Sequence, residues 1–191
     1  LNTTTIVNFS MSGGVLTVPT VGSTSTMVAP ITFIVPGSSF NWTNGRMVIQ
    51  QRGGTTAKLG YLNKLTTGYL VTGGSLQIGN YLTAANDTMK VWSAAPVYAL
   101  VDSSANASML LDTSLTVTTD VTVNGGKLLA NISHLTLGGN WNNTGTFTPG
   151  SGTVTLNGSG TQTITRSLGE TFNNLTINKS SGSLTASGTL A

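Results

Sequence analysis

Between residues 135 and 180 the chain reads LTLGGNWNNTGTFTPGSGTVTLNGSGTQTITRSLGETFNNLTINKS, and no apolar alternation in it lasts beyond two or three side chains. Leu135/Leu137, Val154/Leu156, Thr163/Ile164 with its polar neighbours, and Leu175/Ile177 alternate with Thr or Asn, and Gly, Asn or Ser closes each run. A period of two marks half-buried strands, and the interruptions mark turns. One such strand pair offers too little apolar surface to bury a core, so the runs must stack in series. The expected fold is all-β: a parallel β-helix or β-solenoid of short stacked strands with Gly and Asn turns.

The same phrasing runs through the earlier chain. Residues 3–18, TTTIVNFSMSGGVLTV, read as two short runs around a Ser12-Gly13-Gly14 turn, ended by Pro19, which cannot donate to a ladder. The segment MVAPITFIVPG places Ile31, Phe33 and Val35 on one face, a strand that either a core or a subunit contact could bury. A glycine turn followed by a strand opens at Gly13-Gly14, Asn44-Gly45, Gly73-Gly74 and Gly125-Gly126, with echoes at Gly145 and Gly182. Glycine supplies the positive φ or tight corner. The early copies lie about thirty residues apart and the later ones closer, as in an imperfect internal repeat. Residues 51–69 keep the pattern poorly and read as a longer excursion from the stack. Helix signals are nearly absent; residues 94–111 are interrupted by Pro96 and serines, and VYALV reads equally well as a strand. Residues 1–40 are expected to form N-terminal strands, a cap or an inter-subunit pairing segment, and residues 41–191 the repeats, continuous with them. The competing architecture is a β-sandwich, which also uses short alternating strands but interleaves distant ones.

The run GGNWNNTGTFTPGSGTVTLNGSGTQTI, followed by TFNNLTINKSSGSLTASG, resembles the repeats of very large, secreted, low-charge bacterial surface proteins of the parallel β-helix type. The upstream phrases MSGGVLTV, VTGGSLQIGN and SLTVTTDVTVNGGKLLANISHLTLGGNW look like preceding coils of the same kind, and residues 19–40 fit least well. The resemblance implies that Leu135, Leu137, Phe147, Val154, Leu156, Ile164, Leu175, Ile177 and Leu184 point inward. It carries no signature catalytic residue.

Composition narrows the function classes. Charged residues make up only 7%, whereas 54 of the 191 residues are Ser or Thr. The net charge of +3 comes from scattered bases, with no run that could follow a phosphate backbone, so nucleic acid is not an expected partner. With no cysteine, neither disulfides nor thiolate metal sites can form. No apolar run reaches the roughly 20 residues of a membrane span. Because the first residue is Leu and the last strand pattern is unfinished, the chain is expected to be processed or an excerpt of a longer polypeptide.

Chemistry needs convergent groups. The carboxylates are Asp87, Asp102, Asp112, Asp120 and Glu170, and His134 is the only imidazole. Only Asp112 and Asp120 are spaced to meet on successive turns, and solvated turn aspartates are the simpler reading. The turns lack the repeated Asp of a calcium-binding solenoid. No catalytic residue, metal or cofactor is therefore expected. Trp42, Trp92 and Trp141 are candidate sugar-stacking aromatics if they share a face; otherwise they are buried ladders or inter-chain contacts. Trp42 and Trp141 both follow Asn and are expected at equivalent turn or outer-strand positions.

Ten of 17 asparagines begin an N-x-S/T triplet, against about five by chance. They are Asn2, Asn8, Asn41, Asn86, Asn106, Asn131, Asn142, Asn157, Asn174 and Asn178, candidate glycan acceptors on exposed positions. Strand alternation itself accounts for part of the excess.

The function expected is a non-enzymatic structural protein of the cell surface or of an extracellular filament or sheath. It would associate with copies of itself, or with adjacent repeats of a longer chain, by strand pairing or stacking. Candidate inter-subunit residues are Thr5, Ile6, Val7, Phe9, Ile31, Phe33 and Val35. The alternative is an adhesin stalk or passenger segment that binds carbohydrate or another surface. A polysaccharide-active enzyme would need at least two clustered acids.

Overall fold

The structure, a computed structural model, describes residues 5–19, 29–54 and 57–191. Among them there is no helix; the chain forms nineteen strands in three sheets of nine, six and four. Among the described residues every strand pair is parallel, and the single antiparallel contact is an isolated bridge between Gly53 and Leu59. Parallel neighbours cannot be joined by a tight hairpin, so each connection must travel before it returns. Up to Ala99–Asp102 it travels through the six-stranded sheet, and from there to Gln162–Thr165 through both other sheets. After Val121–Val123 in the nine-stranded sheet come Lys127–Leu129 in the six-stranded and Leu135–Leu137 in the four-stranded. Trp141–Asn143 then returns to the first sheet beside the starting strand. The antiparallel pairing of a β-sandwich is not what these residues adopt.

Alternation sends every second side chain inward. In the nine-stranded sheet Met47, Leu76, Leu100, Val121, Trp141 and Ile164 lie in register and are fully buried. Met89, Met109, Leu128 and Phe147 form a second row, and Leu115, Leu135, Val154 and Leu175 a third. Each buried side chain contributes roughly 1.5–3 kcal/mol relative to exposure, so stability accumulates along the rows. The inward set expected from sequence is found in or against this core, except Ile177, which is 57% exposed on the outermost strand of its sheet.

The register explains the drifting repeat. Leu16 faces Met47, Met47 faces Leu76, Leu76 faces Leu100 and Leu100 faces Val121, so the step shortens from 31 residues to 29, 24 and 21.

Three sequence expectations need correction. Gly13-Gly14 and Asn44-Gly45 do not separate strands: they lie inside Asn8–Val18 and Ser39–Ile49, where the register shifts as at a bulge. Gly45 has φ +95°, and a Cβ there would sit 2.8 Å from the Gly13 and Gly14 carbonyl oxygens, so the next backbone can approach only if the residue is glycine. Gly125-Gly126 belongs to a different corner, opening a strand of the six-stranded sheet, so it is not equivalent to the earlier phrase. Residues 51–69 are not all excursion, since Leu59–Asn63 is a strand of the six-stranded sheet with all five residues buried.

Candidate functional site

Three of the five carboxylates are drawn into the protein. Asp102 ends the strand Ala99–Asp102 and occupies an inward row with Ile49, Ile78, Val123 and Asn143. It is 0% exposed, and neither carboxylate oxygen has a hydrogen bond of good geometry. Burial pushes its pKa up to about 7, and the nearby N–H groups of Ser104 and Lys127 oppose the rise only in part. The Gly126 backbone lies directly against this carboxyl, where any Cβ would collide with it.

Glu170 is buried further along the stack. Its Oε2 accepts hydrogen bonds from Trp141 Nε1 at 2.7 Å and from Asn143 Nδ2 at 2.6 Å, all three residues being buried. Asp87 is buried and paired with the Arg52 guanidinium. The remaining two lie further out: Asp112 meets Lys90 at 3.1 Å, and Asp120 accepts the Asn140 backbone N–H at 2.6 Å. Each of the five thus takes different partners, and Asp112 and Asp120 are not brought together. His134 is exposed on a strand flank, its Nδ1 accepting from the Thr153 N–H at 3.1 Å. Among the described residues no three His, Cys, Asp or Glu side chains gather at metal-binding distance.

The aromatic residues do not form the platform that sequence allowed. Trp42 and Trp141 are 0% exposed, inward-facing on strands and not on turns or outer positions, so neither offers a face to a sugar. Inward is where their area is best used. Trp141 packs edge-on against Phe147 and Phe172, and Trp42 against Phe40. Trp92 alone is on the outside, half-buried, with Lys64 Nζ 5.5 Å from its ring centre.

Among the triplet asparagines, Asn2 lies outside the described residues. Asn8, Asn86, Asn106, Asn131, Asn157, Asn174 and Asn178 are exposed, and Asn41 and Asn142 half-buried. The two fully buried asparagines, Asn63 and Asn143, begin no such triplet.

The candidate inter-subunit residues divide. Thr5, Ile6 and Val7 are exposed at the outermost edge, although the Val7 N–H donates to Ser38 Oγ and its carbonyl accepts from Ser39. Phe9 and Phe33 pack on Phe40 within the chain, and Ile31 and Val35 are half-buried beside them in sequence, Ile31 pairing with Tyr61.

One concave feature escaped sequence reasoning. On the outer face of the nine-stranded sheet Val15, Thr17, Arg46, Val48, Gln77, Asn80, Tyr81 and Ser103 surround a groove of about 360 Å³. Its only signal in the sequence is the Tyr81-Leu82 pair, two large apolar side chains in an otherwise polar connection, both exposed. Comparison of the chain with protein-family models, curated proteins and solved structures finds no match.

Proposed function

We propose that the three sheets are the faces of a β-solenoid. Its role is structural and non-enzymatic, as a secreted module of a cell surface or extracellular filament that grows by adding rungs at its ends. The observation that carries this reading is how the inward rows finish. At one end Phe9 and Leu16 are only partly covered, and Phe9, Met11, Val15 and Leu16 line an open hollow of about 340 Å³. At the other, Leu175 and Leu184 are half-buried and Ile177 exposed.

The outer edges of Asn8–Val18 and Leu184–Ser187 carry no partner strand among the described residues. A parallel edge with a half-filled apolar row beneath it is a template for another strand of the same pattern. A second copy of the chain, or an adjacent repeat of a longer one, supplies that strand without new chemistry. The Thr, Ser and Asn surface with few charges suits such stacking, because it sets little like-charge repulsion between copies.

Sedimentation velocity and negative-stain microscopy of the 191-residue chain over a concentration series test this. Growth into end-to-end oligomers or fibres is expected, and the double variant Leu16→Lys/Ile177→Lys, which charges the inward row at each end, should abolish it while leaving the far-ultraviolet spectrum unchanged. Monomers at every concentration, or unaltered fibres from the double variant, refute self-association through these ends.

A further inference from the structure

We infer that the groove on the outer face of the nine-stranded sheet is a binding site for an acidic sugar residue, independent of any stacking at the ends. The face that holds it departs from the Thr and Asn coat seen further along the sheet. Two outward rows cross it, Val15–Arg46–Ser75–Ala99 and Thr17–Val48–Gln77–Val101. Val48 and Gln77 are buried despite facing outward, and Asn80 and Tyr81 complete the lining. The volume of about 360 Å³ falls at the lower end of small-ligand sites, where one or two sugar rings fit.

The lining specifies the ligand. Arg46 is exposed, forms no ion pair among the described residues, and is the only charged side chain in the groove. A guanidinium without a carboxylate partner recognises a planar carboxylate through two parallel hydrogen bonds. Tyr81, 87% exposed, presents a flat apolar face with a hydroxyl at its tip. Such a ring covers the C–H face of a pyranose. Thr17 and Ser103 add hydroxyls, and Gln77 adds an amide whose Nε2 donates to the Gly79 carbonyl at 2.8 Å. Its Oε1 takes no hydrogen bond among the described residues and can accept from a sugar hydroxyl. A cation, an aromatic face and several uncharged hydrogen-bonding groups in one concavity match a uronic acid better than a neutral sugar.

The test is isothermal titration calorimetry of the full chain with oligogalacturonate, with a maltooligosaccharide of equal length as the neutral probe. Binding of the acidic probe alone is expected. Arg46→Gln and Tyr81→Ala should each weaken it roughly tenfold or more, the scale of one charge-assisted or aromatic contact. Lys127→Gln, which removes one positive charge from an exposed site on another sheet, should leave it unchanged. The proposal is overturned if the acidic probe does not bind or if both probes bind equally. It also fails if Arg46→Gln and Lys127→Gln weaken binding alike, since net charge alone would then explain the affinity.

Discussion

Replacing the Asp102 side chain with that of asparagine should make the protein more stable at pH 8 and remove a decline in stability that the wild type shows between about pH 4 and pH 7. The carboxyl is fully buried in a row with Ile49, Ile78 and Val123, and its pKa rises from 3.8 to about 7 chiefly through burial. A raised carboxyl pKa means that between about pH 4 and pH 7 the folded state holds a proton that the unfolded chain has released. Stability therefore falls as pH rises through that interval, and the loss is complete above about pH 7. At 1.36 kcal/mol per pKa unit the full difference is about 4 kcal/mol, an upper figure because denatured chains retain some burial. The substituted amide carries no charge at any of these pH values and occupies nearly the same volume as the carboxyl. The assay is urea denaturation of both proteins at pH 4, 5, 6, 7 and 8, followed by the midpoint. The wild-type midpoint should drop relative to the variant across the series, with the two curves nearest at pH 4. Parallel curves, or a variant less stable at pH 8, would refute the reasoning and mean that the charged carboxylate is well solvated by backbone N–H groups.

Other substitutions probe the remaining buried and close-packed positions. Glu170→Ala strands the Trp141 indole N–H and the Asn143 amide, and should cost about 2–4 kcal/mol in urea denaturation, with Glu170→Gln costing less because an oxygen acceptor remains. Gly45→Ala forces a Cβ against the Gly13 and Gly14 carbonyls at φ +95° and should destabilise by about 2 kcal/mol or more. Gly160→Ala, with nothing within 4 Å of its Cβ, should shift the thermal midpoint little. Phe40→Ala removes a ring that touches Phe9, Phe33 and Trp42, and should cost about 3–5 kcal/mol by the same denaturation measurement.

The periodicity of two made the strands legible, and the brevity of the runs made stacking legible, because both follow from how much apolar area a strand can present. Leu135, Leu137, Val154, Leu156 and Ile164 are buried for that reason. What sequence did not disclose is which glycine belongs to which corner. Gly45 and Gly126 stand before similar apolar words, yet one lies within a strand of the nine-stranded sheet and the other opens a strand of the six-stranded one. Their difference is set by what passes over them, the Gly13-Gly14 backbone for Gly45 and the Asp102 carboxyl for Gly126, contacts across roughly 20 to 30 residues that local composition does not encode. Asp102 was invisible for the opposite reason: a lone aspartate between strand and serines reads as a solvated turn residue. Only the register, which aligns it with Ile78 and Val123, shows that the alternation carries it inward.

The interior aromatic residues gather in two places along the stack. Where the step is about thirty residues the interior holds Phe9, Phe33, Phe40, Trp42 and Tyr61, and burial pushes the Tyr61 phenol above its usual range. Where Leu115 faces Leu135 and Val121 faces Trp141, twenty residues on, the preceding interior is Leu100, Leu111, Val117, Val121, Val123 and Leu128. The step lengthens again from Trp141 to Ile164, and there Trp141, Phe147 and Phe172 cluster. Interiors are filled to crystal-like density, so rings and aliphatic side chains each take the space that their own circuit leaves. Exposed aromatic residues are then the ones that packing does not explain. Tyr81 is the most exposed of them, and it lines the groove that also holds Arg46.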